Sequence, residues 1–316
     1  MIWWEKFQPL LIFVSVAVGL SLARITSLND IWAFAVAPLL AAMLYVTFLP
    51  IPLREFRQTQ ENLKVTVISL AINFLWTPVF AWGLGALFLN HTPDLWVGLI
   101  MLMVTPCTDW YLVFTGVAGG DVGLATTLLP INLLLQIILL PLYLLLFTGT
   151  IIELDSQVLF TSFWWVVVIP LLMAIATRKL AIYGKGNGWW SRFMPKIILF
   201  QILFLNLAIV AIFASEGNLV WQKLDLFFTL LMPLVLFFMT NFLLGQFIGR
   251  YLKLSYEKQV CLNYTTLARN SPLSLAIAAS VFPHHPLISV TLIIAPLIEL
   301  PILGIISQFL LFLRLR

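Results

Sequence analysis

Long apolar stretches separated by short polar segments run through the chain from end to end. A helix needs about 20 consecutive apolar residues to cross the hydrocarbon core of a bilayer. The continuous, leucine-rich runs do not show the alternating segments of about ten residues that indicate a β-barrel. They predict ten membrane helices, at 7–24, 32–52, 64–89, 94–117, 122–149, 157–178, 194–214, 225–249, 257–282 and 286–313.

Composition supports the membrane assignment. Charged residues make up 9% of the chain and apolar residues 62%, and the mean hydropathy is +1.05. A soluble globular protein carries roughly a quarter charged residues, so this chain is predicted to be an all-α integral membrane protein with the lipid bilayer as its partner.

The positive charges predict the orientation of the helices. Lys and Arg are enriched in cytoplasmic loops. If the N-terminus is cytoplasmic, Arg24 and Lys223 are the only Lys or Arg residues in the outer loops. An even number of spans then places both termini in the cytoplasm, and we expect a multi-pass protein of the plasma (inner) membrane. The basic pI reflects this orientation and does not indicate a nucleic-acid partner.

The two halves of the chain show signs of an internal repeat, 1–152 and 153–316. Pro38 and Pro78 in the first half have counterparts in Pro195 and Pro233, displaced by about half the chain. Five helices per half is an odd number, so the second half must insert in the opposite orientation, as in many secondary transporters. The alternative is chance, because proline is common in membrane helices.

Two predicted helices, the fourth and the ninth, are interrupted by proline and polar residues. The interruptions are Thr105–Asp109, which contains Pro106, and Ala268–Pro272, which ends on Pro272. Irregular backbone at membrane depth survives only where it is buried in protein or lines a cavity. Paired interrupted helices in the two halves are the best sequence indication of a transporter's binding site.

Three charged residues lie clearly within predicted spans: Asp109, Arg269 and Glu299. Burying a charged side chain at this depth costs free energy, so such a residue indicates a functional site by default. Arg269 neutralises one of the two acids, which leaves the other to bind and release a proton. The alternative is a structural ion pair, with the second acid near the membrane surface.

Cys107 and Thr108 follow the proline of the first interruption directly. Thiolates are ligands for soft metals and metalloids, and a neighbouring Arg or a helix N-terminus favours the thiolate form. The alternative is that Cys107 packs as a small apolar residue, which is how we interpret Cys261.

Uncharged polar residues within spans are Asn73, Asn132 and Gln136. Asn132 and Gln136 are four apart and share a helix face. They either line a transport pathway or form hydrogen bonds between helices, and the pair on one face favours the pathway.

Enzyme signatures are missing from the sequence: it has no phosphate-binding loop, dinucleotide fingerprint, HExxH or nucleophile elbow. We therefore expect no catalytic activity, no cofactor, no metal centre and no evident ATPase partner.

Four sequence features together resemble one known family. They are Asn73-Phe74-Leu75-Trp76-Thr77-Pro78, Pro106-Cys107-Thr108, the pair Asn132 and Gln136, and Pro296-Leu297-Ile298-Glu299-Leu300-Pro301. In this combination the chain resembles the bile acid/sodium symporter superfamily, and within it the arsenite permeases of the arsenical-resistance type. The resemblance implies two inverted five-helix repeats, with the discontinuous fourth and ninth helices crossing in a core domain.

The resemblance also implies roles for individual residues. It assigns Cys107 and Glu299 to the efflux of trivalent arsenic and antimony, generally in exchange for protons. The chain departs from the family pattern at Asp109 and at the second interruption. Where the sodium symporters hold sodium with a Glu and a Gln, this chain has Thr265 and Arg269, which argues against sodium coupling.

The first hypothesis is therefore a proton-coupled exporter of arsenite or antimonite. Its predicted substrate contacts are Cys107, Thr108, Arg269, Asn270 and Ser271, and Asn73, Asn132, Gln136 and Thr265 line the pathway. The second hypothesis is a transporter of a small organic anion bound through Arg269 and the amides of the half-helices. A channel or a sensor is the third, and it ranks last because few polar residues are available to line a pore.

Overall fold

A computed structural model describes residues 8–25, 29–50, 62–108, 110–152, 155–222 and 225–314. Within these ranges the chain is helical apart from turns, short irregular segments and one isolated β-bridge. The bounds of the helices in chain order are α1 Gln8–Ile25, α2 Asn29–Phe48, α3 Leu63–Phe88, α4 Pro93–Met103, α5 Trp110–Val117, α6 Val122–Phe147, α7 Ser156–Gly184, α8 187–222, α9 Asp225–Tyr251, α10 Tyr256–Leu267, α11 Ser271–Val281 and α12 Pro286–Arg314.

The chain forms two compact units, and each unit draws on both halves of the sequence. The first unit comprises Met1–Ile51, Asp155–Leu226 and Pro272–Ile293. The second comprises Pro52–Leu154, Phe227–Ser271 and Ile294–Arg316. Both predicted interruptions up to Ser271 therefore belong to the second unit.

In the first unit, α1 packs closely against α8 because glycine removes the side chain at the contact. A Cβ at Gly19 would lie 2.6 Å from the Cβ of Phe213. The Ser15 hydroxyl donates to the Asn206 amide oxygen at 2.8 Å in the same helix pair. A positive φ of 77° at Gly186, which glycine adopts without strain, separates α7 from α8.

In the second unit, α3 contains a π-helical turn, Ile72–Trp76. Such turns are rare and are frequent at functional sites. Pro78 follows the turn and lacks the N–H that would bond the Phe74 carbonyl in an α-helix. The Tyr143 hydroxyl of α6 donates to that carbonyl instead, which ties α6 to the π turn.

The structure confirms the all-helical class. Six helices in the described ranges are long and apolar enough to cross a membrane: Ile31–Phe48, Leu63–Phe88, Val122–Thr150, Ser156–Gly184, Phe228–Tyr251 and Pro286–Arg314. Four shorter apolar helices accompany them: Leu11–Arg24, Pro93–Met103, Leu199–Ser215 and Ser271–Val281. Ten spans arranged as an inverted repeat remain a prediction.

Large apolar side chains are exposed on several of the long helices. Phe34 of α2, Leu75 of α3, and Phe228 and Phe247 of α9 are each exposed over most of their surface. Soluble monomers rarely expose apolar surface on this scale. Together with the six apolar helices, this surface indicates an integral, multi-pass membrane protein.

Candidate functional site

The two interruptions lie side by side and pair through their backbones. α4 ends at Met103 and α5 begins at Trp110, while α10 ends at Leu267 and α11 begins at Ser271. The Cys107 N–H donates to the Ala268 carbonyl at 3.0 Å, and the Asn270 N–H donates to the Thr105 carbonyl at 2.7 Å. These two bonds make a short antiparallel bridge, so the two breaks form one site.

The carbonyls at the end of α4 are satisfied by side chains. The last four carbonyls of a helix have no partner inside the helix. The Thr105 hydroxyl donates to the Met101 and Leu102 carbonyls at 3.0 and 2.9 Å. The Met103 carbonyl accepts from the Arg269 guanidinium at 2.8 Å.

The carbonyls at the end of α10 are satisfied in the same way. The Asn73 amide of the π turn donates to the Thr265 carbonyl at 2.9 Å. Arg269 folds back to donate from Nε to the Leu267 carbonyl at 3.1 Å and from one terminal nitrogen to the Thr266 carbonyl. One arginine therefore caps the C-termini of two helices.

The guanidinium of Arg269 is buried and almost fully engaged. Its fourth bond runs to the Asn73 amide oxygen at 3.1 Å, so four of its five N–H groups donate to protein acceptors. The ring of Phe237 covers it, with 5.1 Å between the guanidinium carbon and the ring centroid. A helix C-terminus carries about half a negative charge, so the two ends together balance the cation.

Glu299 lies against the same break, but its carboxyl bonds to the backbone of Arg269 and not to the guanidinium. Its Oε1 accepts the backbone N–H of Arg269 at 2.8 Å, and the residue is 2% exposed. Pro296 and Pro301 flank it within α12. Cys107 belongs to the other strand of the bridge, where its N–H donates to the Ala268 carbonyl at 3.0 Å. The carboxyl, the thiol and the guanidinium therefore belong to residues that meet at the paired breaks.

Cys107 lies three residues before Trp110, the first residue of the second half of the first broken helix. The Trp110 N–H donates to the Cys107 sulfur at 3.2 Å, so the sulfur takes the position of a helix-capping atom at the N-terminus of α5. A helix N-terminus stabilises negative charge, and the thiolate is the form that binds soft metals and metalloids. The side chain is 5% exposed.

Asn132 and Gln136 form a buried amide pair on α6. Both residues are fully buried, and none of their four amide atoms has a hydrogen-bond partner among the described residues. Ala125 and Tyr143 fall on the same stripe of the helix, seven residues on either side of the pair. The Ala125 carbonyl accepts from Tyr111 of α5. This face of α6 therefore contacts α5, the helix after the first break, at one end and the π turn that contains Asn73 at the other.

The remaining predicted residues fall in or near the breaks. Thr108 and Asn270 are buried in the irregular backbone, and Ser271 is the first residue of α11. Thr265 lies one turn before the second break, where its hydroxyl accepts from Ser69 at 3.2 Å. Asp109 lies outside the described residues.

The two prolines occupy different positions. Pro106 is part of the bridge, opposite Arg269. Pro272 is not within the irregular segment, because α11 has already begun at Ser271. It occupies the first turn of α11, where a backbone N–H would have no partner within the helix. Pro272 therefore helps to start the second half-helix.

Three contributors to the site are not among the predicted site residues. Thr105 is a C-cap, and its position directly before Pro106 is a usable signal, since a hydroxyl there can reach the freed carbonyls. Phe237 and the Met103 carbonyl both lie far from Arg269 along the chain. No local sequence pattern reports such long-range contacts.

Paired helix breaks that hold a buried charge, in a chain whose helices are long and apolar enough to cross a membrane, indicate the class of the protein, which is a membrane transporter. The model of the Sodium Bile acid symporter family matches residues 37–223, more than half of the chain, and the chain belongs to this family.

Curated relatives match over most of their length. The chain is 26% identical to the arsenical-resistance protein Acr3 of Corynebacterium glutamicum over 95% of this chain and 86% of the relative. It is 22% identical to Acr3 of Alkaliphilus metalliredigens over 92% and 87%. It is also 24% identical to the uncharacterized protein YbaS of Bacillus subtilis over 90% and 91%. At 22–26% identity these are divergent relationships.

Proposed function

We propose that this protein is a secondary transporter that exports arsenite or antimonite in exchange for protons. The observation that carries the proposal is the position of Cys107, whose buried sulfur caps a half-helix at the paired breaks, where Arg269 and Glu299 also lie. The two Acr3 relatives carry the name of arsenical-resistance proteins, which supports the choice of substrate.

The chemistry of the substrate fits the polar groups of the site. Trivalent arsenic and antimony exist in water at neutral pH as uncharged trihydroxides, which both donate and accept hydrogen bonds and react with thiols. A single thiol replaces one hydroxyl group, forming one sulfur bond and releasing water, and hydrolysis of that one bond frees the substrate readily, whereas three thiolates would hold it tightly. The unpartnered amides of Asn132 and Gln136 supply donors and acceptors for the hydroxyl groups.

Glu299 is the proposed proton carrier. Its carboxyl is buried, and Oε1 already accepts one backbone N–H, while Arg269 directs its guanidinium to carbonyl and amide oxygens. The carboxyl is therefore not locked in a side-chain ion pair with Arg269, and it is free to gain and lose a proton during transport. Asp109 remains the other proposed carrier.

The membrane arrangement is part of the proposal. We infer ten spans formed by two inverted repeats, 1–152 and 153–316, with both termini in the cytoplasm and the protein in the plasma membrane. The bridge between the two breaks supports a crossing of the fourth and ninth helices. A C-terminal reporter that is active only in the cytoplasm tests the orientation.

The alternative substrate, an organic anion bound through Arg269, is less well supported. Four of the five N–H groups of the guanidinium already donate to protein oxygens, which leaves little of the cation for a carboxylate or a sulfonate. Sodium coupling is not supported either, because a guanidinium occupies the carbonyls that a cation would use.

Arsenite accumulation tests the proposal. Cells without their own exporter are exposed to As(III) with and without this protein, and the metalloid content is measured. We expect lower accumulation with the protein, loss of the effect in Cys107→Ser, and an unchanged effect in Cys261→Ser. Cys261 is the matched control because it is equally buried but lies within α10. Unchanged accumulation, with the protein confirmed in the membrane, would discard the substrate assignment.

A further inference from the structure

Residues 178–196 connect α7 to α8, and this α7–α8 connection carries positive charge without any acidic residue. No Asp or Glu occurs between Asp155 and Glu216, whereas the cations of that stretch all lie in the connection: Arg178, Lys179, Lys185, Arg192 and Lys196. At 1.5 Å per residue, Asp155 is about 36 Å from Lys179 along α7, and Glu216 is about 30 Å from Lys196 along α8. Both separations exceed the Debye length of about 8 Å at physiological ionic strength, so these acids do not neutralise the connection.

The positive-inside rule alone does not require this composition. Elsewhere on the predicted cytoplasmic side the cations are accompanied by acids. The predicted loop 53–63 has as many acidic as basic residues. Glu257 adjoins the turn between α9 and α10, where it pairs with Arg314 at 3.6 Å. The α7–α8 connection has no such compensation along its sequence, which makes it a surface for a negatively charged partner.

Aromatic side chains accompany the cations on both helices. On α7, Lys179 and Tyr183 are four residues apart and both exposed, and Tyr183 is 94% exposed. On α8, the rings of Trp189 and Phe193 stack with 5.0 Å between their centroids, and the exposed Arg192 lies on the same side of the helix, three residues after Trp189. Trp and Tyr concentrate at the level of the lipid headgroups, so these rings place the neighbouring cations beside the headgroup phosphates.

The backbone of the connection is open at its centre. Gly184, Gly186 and Gly188 occupy every second position there, and a Cβ at any of the three would meet no neighbouring atom within 4 Å. Gly186 has a positive φ of 77°, which glycine adopts without strain. The missing side chains leave room for a headgroup against the backbone, between the cations of α7 and those of α8.

We propose that the α7–α8 connection binds the phosphate of an anionic phospholipid. Its exposed cations contact the phosphate oxygens, and its rings lie at headgroup depth. Clusters of Lys and Arg directly beside a membrane helix recognise anionic headgroups in this way. The proposed orientation places the connection at the cytoplasmic leaflet, whose surface potential is negative. The connection belongs to the first unit, whereas the paired breaks up to Ser271 belong to the second, so lipid binding does not depend on the transported substrate.

Native mass spectrometry of the full-length protein in neutral detergent measures the dissociation constant of the tightest-bound lipid. Phosphatidylglycerol and phosphatidylcholine with the same acyl chains are added to the wild type, to Arg192→Gln/Lys196→Gln and to Arg250→Gln/Lys253→Gln. The second pair is the matched control, because it also removes one exposed Arg and one exposed Lys, at the turn between α9 and α10. We expect the wild type and the control to bind phosphatidylglycerol roughly tenfold more tightly than phosphatidylcholine, and the first variant to lose most of this preference.

Equal binding of the two lipids by the wild type, or the same loss in both double variants, would overturn the proposal. Displacement of phosphatidylglycerol by an equal concentration of glycerol 3-phosphate would do so as well, because the ligand would then be a free phosphate ester. An unchanged thermal unfolding midpoint without added lipid shows that each variant is folded. If Arg192→Gln/Lys196→Gln does not fold, Lys179→Gln replaces it, with Lys253→Gln as its control and the same expectation. Because the readout is lipid binding in detergent, failure of arsenite transport would leave this result untouched.

Discussion

Replacement of Asn73 tests the structural basis of the site most directly. Its amide nitrogen donates to the Thr265 carbonyl at 2.9 Å, and its oxygen accepts from Arg269 at 3.1 Å. Asn73→Leu keeps the approximate volume and removes both bonds. The Thr265 carbonyl and one guanidinium N–H would then be buried without their present partners.

The two lost bonds differ in strength. Hydrogen bonds between membrane helices average about 0.6 kcal/mol, whereas a hydrogen bond to a charged group contributes roughly 1.5–3 kcal/mol. We therefore expect Asn73→Leu to lower the free energy of unfolding by about 2–3.5 kcal/mol.

The matched control is Ser69→Ala, one turn earlier on the same face of α3. Ser69 is equally buried and makes a single neutral bond to the Thr265 hydroxyl at 3.2 Å. Its loss should lower the free energy of unfolding by about 0.6 kcal/mol. Equilibrium unfolding in mixed micelles, followed by tryptophan fluorescence, measures both variants. A loss in Asn73→Leu no larger than that in Ser69→Ala would refute the reasoning that Asn73 helps hold the two breaks together.

Three further predictions address proton coupling, substrate binding and packing. Glu299→Gln keeps an oxygen for the Arg269 amide but cannot release a proton, so transport into vesicles should no longer respond to an imposed pH gradient. Gln136→Leu removes an unpartnered buried amide and should stabilise the protein by about 1–2 kcal/mol while lowering the transport rate; a destabilised variant would contradict the lack of partners. Gly85→Ala should destabilise by about 1–3 kcal/mol through overpacking, because its Cβ would overlap the Trp96 ring, whereas Gly83→Ala, with open space at its Cβ, should not.

The sequence predicts the membrane helices and their interruptions more completely than the contacts of the site. Membrane helices are recognisable because lipid requires long apolar segments whose backbone bonds are satisfied internally. The interruptions at Pro106 and before Pro272 were predictable because proline lies there beside ionisable and other polar residues, which are rare at membrane depth. Glu299 stood out as a charge in an apolar helix.

The partners of these residues could not be predicted. The sequence leaves two acids as candidates for pairing with Arg269, and a charge count cannot distinguish an ion pair from a helix cap. In the structure the guanidinium bonds to carbonyls released by two helix ends, and Glu299 accepts the backbone N–H instead. Long-range packing determines which carbonyls come within reach.

The sequence by itself therefore determined the membrane class, the existence of two breaks and most of the polar residues at them, because local hydrophobicity and proline chemistry act within a single helix. The tertiary structure alone decided that the breaks pair with each other and that Arg269 bonds to the Met103 carbonyl and to the Asn73 amide oxygen. The physical reason is that each of these contacts joins residues distant in the chain, and a helix end acquires its partner only when another element packs against it.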